Sequence, residues 1–170
     1  MERKKLYNAY EQHEGYNCFG CASGNEHGLH CEFYEEGEYI TCHWMPRPEF
    51  QGFFILRDVH AVEEERASIC RVHIADRRWN VFAKVKSAGV TVELITKYRA
   101  TVYSDRGELF LRSRIVEQTS RLAKMHVELF NADGTLGSEA DVVYRIFPEN
   151  VARQRLGWTG IEAFYPEETK

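Results

Sequence analysis

The chain predicts an α+β fold: a curved antiparallel sheet of five or six strands around one long helix. Two observations carry this. Residues 88–147 alternate apolar and polar side chains through four runs separated by turn residues, the period of half-buried antiparallel strands. Residues 54–79 contain no Gly and no Pro, are rich in helix formers, and are too long for a strand. A sheet with one helix buries its apolar face against that helix.

Taken in order, residues 1–17 are polar with scattered tyrosines and read as a short helix or an extended arm. Residues 18–29, CFGCASGNEHGL, have the Gly, Ser and Asn content of a loop. Residues 30–36 and 39–46 form a hairpin across Glu36-Gly37-Glu38, and Pro46-Arg47-Pro48 ends it. Gln51-Gly52-Phe53 leads into the helix. On that helix Val59, Val62, Ile69 and Cys70 share one face at about 100° per residue, beside Glu63, Arg66 and His73. This apolar stripe is thin, so either much of the helix is solvated or its charges pair inside a partner surface.

In the second half, Val90, Val92, Leu94, Tyr98, Ala100 and Val102 alternate with Thr91, Glu93, Lys97, Arg99 and Thr101. Further strands run through Leu109–Ile115, Ala123–Leu129 and Ala140–Ile146. Turns fall at Ser104–Gly107, Gln118–Arg121 and Asn131–Gly134. The tail after Pro148 reads as irregular. The expected organisation is an arm over 1–17, one domain over 18–148 and a tail over 149–170.

A net charge of −4 with mixed signs argues against a general nucleic-acid binder. No apolar run reaches the length of a membrane span. The basic N-terminal residues are not followed by an apolar stretch, so the expected compartment is the cytoplasm. Five cysteines, an odd number, then read as thiols.

Asn17-Cys18-Phe19-Gly20-Cys21, Asn25-Glu26-His27-Gly28-Leu29, Gln51-Gly52-Phe53, Ala88-Gly89-Val90-Thr91-Val92-Glu93-Leu94 with Tyr98, and Asp133-Gly134 follow one another in an order that resembles the PaaI-like hotdog-fold acyl-CoA thioesterases. The resemblance covers roughly residues 17–53 and 80–147. It implies a hotdog fold, an acyl-CoA thioester as substrate, no bound cofactor or metal, and a homodimer or dimer of dimers with the site between subunits. It also implies that Thr91 is the third-strand hydroxyl that orients water.

The segment between departs from the family. The His-Gly-Gly that opens the family's helix is not matched, and the acid two turns later falls at Ala67 or Ser68. The nearest carboxylates are Glu64 and Glu65, which are the expected base or nucleophile, with His60 as acid–base group or donor. Gln51, Gly52 and Asp58 are the expected substrate contacts at the helix start, where free N–H groups favour negative charge. Each has a plain structural alternative: the Glu63–Glu65 run suits a solvated helix N-terminus, His60 suits a structural role, and Thr91 suits any strand. Lys84, Lys86, Lys97, Arg99, Arg112 and Arg114 are candidate partners for coenzyme A phosphates. Two other functions stay open at this point. One is a hotdog protein that binds an acyl or aromatic thioester without hydrolysing it. The other is a small metal-binding module built on Cys18-x-x-Cys21 with His27, His30 and Cys31, a weak signal without a second spaced pair.

Overall fold

The computed structural model describes residues 3–8, 10–11, 13–50 and 87–165. The expected central helix, 54–79, lies outside the described residues.

Seven strands form one antiparallel sheet: β1 (Arg3–Leu6), β2 (Phe33–Glu36), β3 (Tyr39–Trp44), β4 (Gly89–Tyr98), β5 (Leu109–Gln118), β6 (Leu122–Phe130) and β7 (Leu136–Ile146). Their spatial order is β1-β2-β3-β5-β6-β7-β4. The N-terminal arm supplies the seventh strand, since Arg3–Leu6 pairs with Phe33–Glu36. The β2–β3 hairpin turns at Gly37, whose φ of 62° suits a residue without Cβ.

Alternation places one apolar row on the inner face. Phe33, Cys42, Leu111, Leu129 and Ser138 stand opposite one another in turn across β2, β3, β5, β6 and β7. All five are buried. Ile40, Met125, Val127, Ala140 and Val142 extend this face, which has no charged residue in its centre. Trp44 belongs to it too, and its indole N–H donates to the Leu29 carbonyl at 2.9 Å, tying the loop before β2 to the sheet.

The outer face is polar. The Arg112 guanidinium grips Glu128 through Nε at 2.7 Å and Nη2 at 3.2 Å. Glu128 stands opposite Glu139 on β7. The like-charge contact is relieved from the other side by Arg99, at 2.5 Å from Glu139, and Lys97, at 4.0 Å. Lys97, Arg99 and Arg112 are therefore committed to carboxylates of the sheet.

The Arg99 hydrogen bond holds the Glu139 carboxyl below its ordinary value of 4.5. The Lys5 hydrogen bond, helped by the Tyr34 hydroxyl, does the same for Glu32. A folded-state value below the unfolded one means stability that is present above the ordinary value and lost as pH falls through the lowered one. Urea midpoints should therefore be flat just above about pH 4.5 and fall below it. Arg99→Ala should shrink the acid-side loss; an unchanged acid limb in that variant would remove Glu139 from the account.

Two expectations are corrected here. The four strands of 88–147 are not successive hairpins. β4 pairs with β7 at the sheet's far side, while β5 pairs with β3 and β6. Residues 99–108 are thus a crossover over the end of the sheet, not a hairpin turn. The crossover is held by backbone bonds from Arg99 and Ala100 to the Gly137 carbonyl. Asn131 secures it further, accepting from the Tyr103 N–H at 3.0 Å and donating to the Thr101 carbonyl at 2.9 Å.

The tail is also not irregular. Glu149–Leu156 forms a helix, α1, ended by Gly157 in the left-handed region at φ 66°. A 3-10 turn follows at Ile161–Phe164. Ala152, Trp158 and Phe164 are buried in the core. The Tyr7 N–H donates to the Phe164 carbonyl at 3.1 Å, and the Tyr165 hydroxyl donates to Glu35 at 2.9 Å. The tail therefore contributes to the core that the described residues form.

Candidate active site

Of the predicted catalytic and helix-start contact residues, Thr91 is the one that the structure describes. Strict alternation predicts that Thr91 faces away from Leu94. A β-bulge overturns that. Thr91 stands opposite Tyr144, Glu93 stands opposite Val143, and Val92 is the extra residue between them. The bulge shifts the phase by one, so Thr91 and Leu94 share the inner face with Tyr144 and Val142. The Thr91 hydroxyl thus belongs to the face of the sheet that carries the core. Thr91 itself is exposed there.

Gly89 sets how closely β4 approaches its neighbour. A Cβ at this position would sit 2.8 Å from the Arg145 carbonyl oxygen, so any side chain would push the start of β4 away from β7.

Beyond Gly89, the same end of the sheet opens into a cleft of about 630 Å³. Ser87, Ser120, Arg121, Arg145, Ile146, Phe147, Pro148 and Glu149 line it. Its walls are stitched together by the Ile146 N–H to the Arg121 carbonyl at 2.8 Å and the Phe147 N–H to the Ala88 carbonyl at 3.1 Å. The Ser87 hydroxyl donates to the Phe147 carbonyl. Glu149 is engaged by Arg153, whose Nε donates to it at 2.9 Å. Two arginines lining a cleft together with Ile146, Phe147 and Pro148 suit an anion attached to an organic body. The cations weighed from sequence did not include Arg121 or Arg145. Arg121 sits in a stretch read only as a turn, and Arg145 reads as one more outward residue of its strand.

Glu64, Glu65, His60, Gln51, Gly52 and Asp58 lie outside the described residues, as do Lys84 and Lys86. Among the described residues no three His, Cys, Asp or Glu side chains gather to hold a metal.

The thioesterase superfamily model matches residues 59–138. The architecture is similar to that of a thioesterase from Haemophilus influenzae, with 12% identity, a TM-score of 0.57, and 71% of this chain and 80% of that one covered. It is also similar to the Escherichia coli PaaI protein from the phenylacetic acid degradation operon, with 8% identity, a TM-score of 0.56, and 69% and 83% covered. The chain has the hotdog fold, and its residues 59–138 are similar to the thioesterase superfamily. A mutant thioesterase from Pseudomonas aeruginosa shares the hotdog fold at 14% identity and a TM-score of 0.54, over 71% of this chain and 83% of that one. No curated protein matches the sequence.

The matched interval differs from the motif-based resemblance at both ends. It begins at Val59, so it runs through the charged segment that the motifs pass over, and it leaves out residues 17–53. The hotdog assignment therefore draws sequence support from the segment that carries Glu64 and Glu65.

Proposed function

We propose that this protein binds acyl-CoA thioesters and hydrolyses them slowly. The observation that carries this reading is the Val92 bulge. It turns Thr91 onto the inner face of β4, and the same end of the sheet carries a cleft lined by Arg121 and Arg145. In this reading those two guanidinium groups receive coenzyme A phosphates, and Gln51, Gly52 and Asp58 contact the acyl end. Glu64 or Glu65 takes a proton from water whose oxygen attacks the thioester carbonyl carbon. Thr91 orients that water and His60 donates toward the developing oxyanion. The carbon–sulfur bond then breaks, and the coenzyme A thiolate takes up the proton. The rate is low because the sequence contains no Gly-Gly, and loss of one oxyanion donor typically lowers rate by about 10²–10³.

Acyl-CoA esters with short, long and aromatic acyl groups should be tested for thiol release and for binding by calorimetry. Measurable binding with slow turnover is the expected result. Arg121→Ala and Arg145→Ala should each weaken binding about tenfold, the loss expected for a hydrogen bond to a charged group. Absence of binding to every ester at millimolar concentration would sink the reading. Binding without any turnover would favour the non-catalytic alternative.

The protein also self-associates in this reading, as a homodimer or dimer of dimers. β4 is a ten-residue strand with a neighbour on one side only among the described strands. Val92, Ile95 and Tyr98 on it are 54%, 49% and 55% exposed. A long apolar strand edge of this kind is a template for a second copy. Sedimentation should show a dimer, and Ile95→Lys should shift it toward monomer; a clean monomer in the unaltered protein at tens of micromolar would refute the assembly. Among the described residues no helix is long and apolar enough to cross a membrane.

A further inference from the structure

The cysteines of the first loop have no part in thioester chemistry, yet the fold sets two of them against each other. Cys18 and Cys21 lie on one tight turn, closed by the Ala22 N–H donating to the Cys18 carbonyl at 3.1 Å. Their sulfurs are 3.5 Å apart. Cys21 is buried, whereas Cys18 is half-buried and reachable from solvent. The Cys21 sulfur lies 3.2 Å from the Tyr16 hydroxyl and 3.7 Å from the Asn8 side-chain nitrogen. The Asn8 amide also reaches the Cys21 carbonyl at 3.4 Å. Burial, reinforced by the Cys21 contact, pushes the Tyr16 phenol far above its ordinary value, so it keeps its proton beside the sulfur. These contacts fix the inner sulfur in position against the outer one.

The turn is also locked to its surroundings. The Leu29 N–H donates to the Phe19 carbonyl at 2.6 Å, and the Cys31 N–H donates to the Gly20 carbonyl at 2.9 Å. The two sulfurs are thus held side by side by a framework that does not depend on a bond between them.

We infer that Cys18 and Cys21 form a reversible dithiol–disulfide pair that reacts with low-molecular-weight disulfides of the glutathione type. Cys18, as thiolate, attacks one sulfur of the disulfide; that sulfur–sulfur bond breaks, and one glutathione thiolate leaves. Cys21 then attacks the Cys18 sulfur of the mixed disulfide, the Cys18–Cys21 bond forms, and the second glutathione leaves. The two protons given up by the protein thiols end on the two glutathione molecules. The protein loses two electrons and the small disulfide gains them.

The full chain should be equilibrated in glutathione buffers of graded ratio, acid-quenched, alkylated and weighed intact. The expected product has lost two hydrogens and carries two fewer alkyl groups. Cleavage after glutamate separates residues 15–26, which hold Cys18 and Cys21, from 27–32, which hold Cys31. The bridge should lie within the first fragment. Cys21→Ser should trap glutathione on Cys18, and Cys18→Ser should form neither the adduct nor the bridge. The inference is overturned by a fully alkylated, folded protein at the most oxidising ratio. It is overturned equally by a bridge mapped to another pair, by a Cys21→Ser protein without adduct, or by one zinc per chain that protects both thiols.

Discussion

In the Glu64→Gln/Glu65→Gln double variant, acyl-CoA turnover should fall to the uncatalysed rate while binding is retained. A positioned proton acceptor typically contributes about 10²–10⁴ in rate. With no Gly-Gly in the sequence to supply oxyanion donors, this carboxylate is, in the proposed reading, the largest catalytic contribution left. The amide side chain keeps the shape of the acid but cannot accept the proton. The single variants identify which of the two acts, because on the helix expected from the sequence they differ by roughly 100°. Thr91→Ala should have a smaller effect, near tenfold, the value of one hydrogen bond to the attacking water. Thiol release with saturating substrate measures all four proteins. Robust turnover in the double variant would move the carboxylate elsewhere, whatever the Thr91 result.

Leu111→Ala should lower stability by about 2–5 kcal/mol. Leu111 is 0% exposed and stands in the row that links β2 to β7 through Cys42 and Leu129. Strands pack it from both sides, so the walls of the new cavity cannot collapse without breaking register. Urea denaturation should show a lower midpoint with an unchanged slope. A loss below about 1 kcal/mol would mean that neighbouring side chains refill the space. By contrast, Val116, 60% exposed at the outer end of the same strand, should tolerate Ala.

What the sequence made legible was the local part of the fold. The β2–β3 hairpin follows from apolar runs on either side of Glu36-Gly37-Glu38, and β5, β6 and β7 follow from period-two alternation. Pairing partners are non-local, so nothing in residues 99–108 marks them as a crossover rather than a hairpin. The Val92 bulge was hidden for a different reason. Val90, Val92 and Leu94 continue an unbroken apolar alternation, and only the register with Val143 and Tyr144 shows the slip. α1 was hidden because ENVARQRL has a weak apolar face, with Ala152 as its buried residue. Thr91 was singled out through its flanking motif, although the face it occupies was not legible. Arg121 and Arg145 come together only when the β5–β6 turn meets the end of β7.

The two borders of the sheet have opposite characters. β1 has four residues, Arg3-Lys4-Lys5-Leu6, and its positive charges discourage another strand from joining. β4 is long and apolar. Growth by edge addition is therefore self-terminating among the described strands. Once two copies meet through β4, both remaining borders are the short basic one, and no further copy finds a template. In the proposed assembly, addition through strand edges would therefore end at a closed pair instead of an open filament. Assembly should saturate with rising concentration, and agitation should yield no fibres.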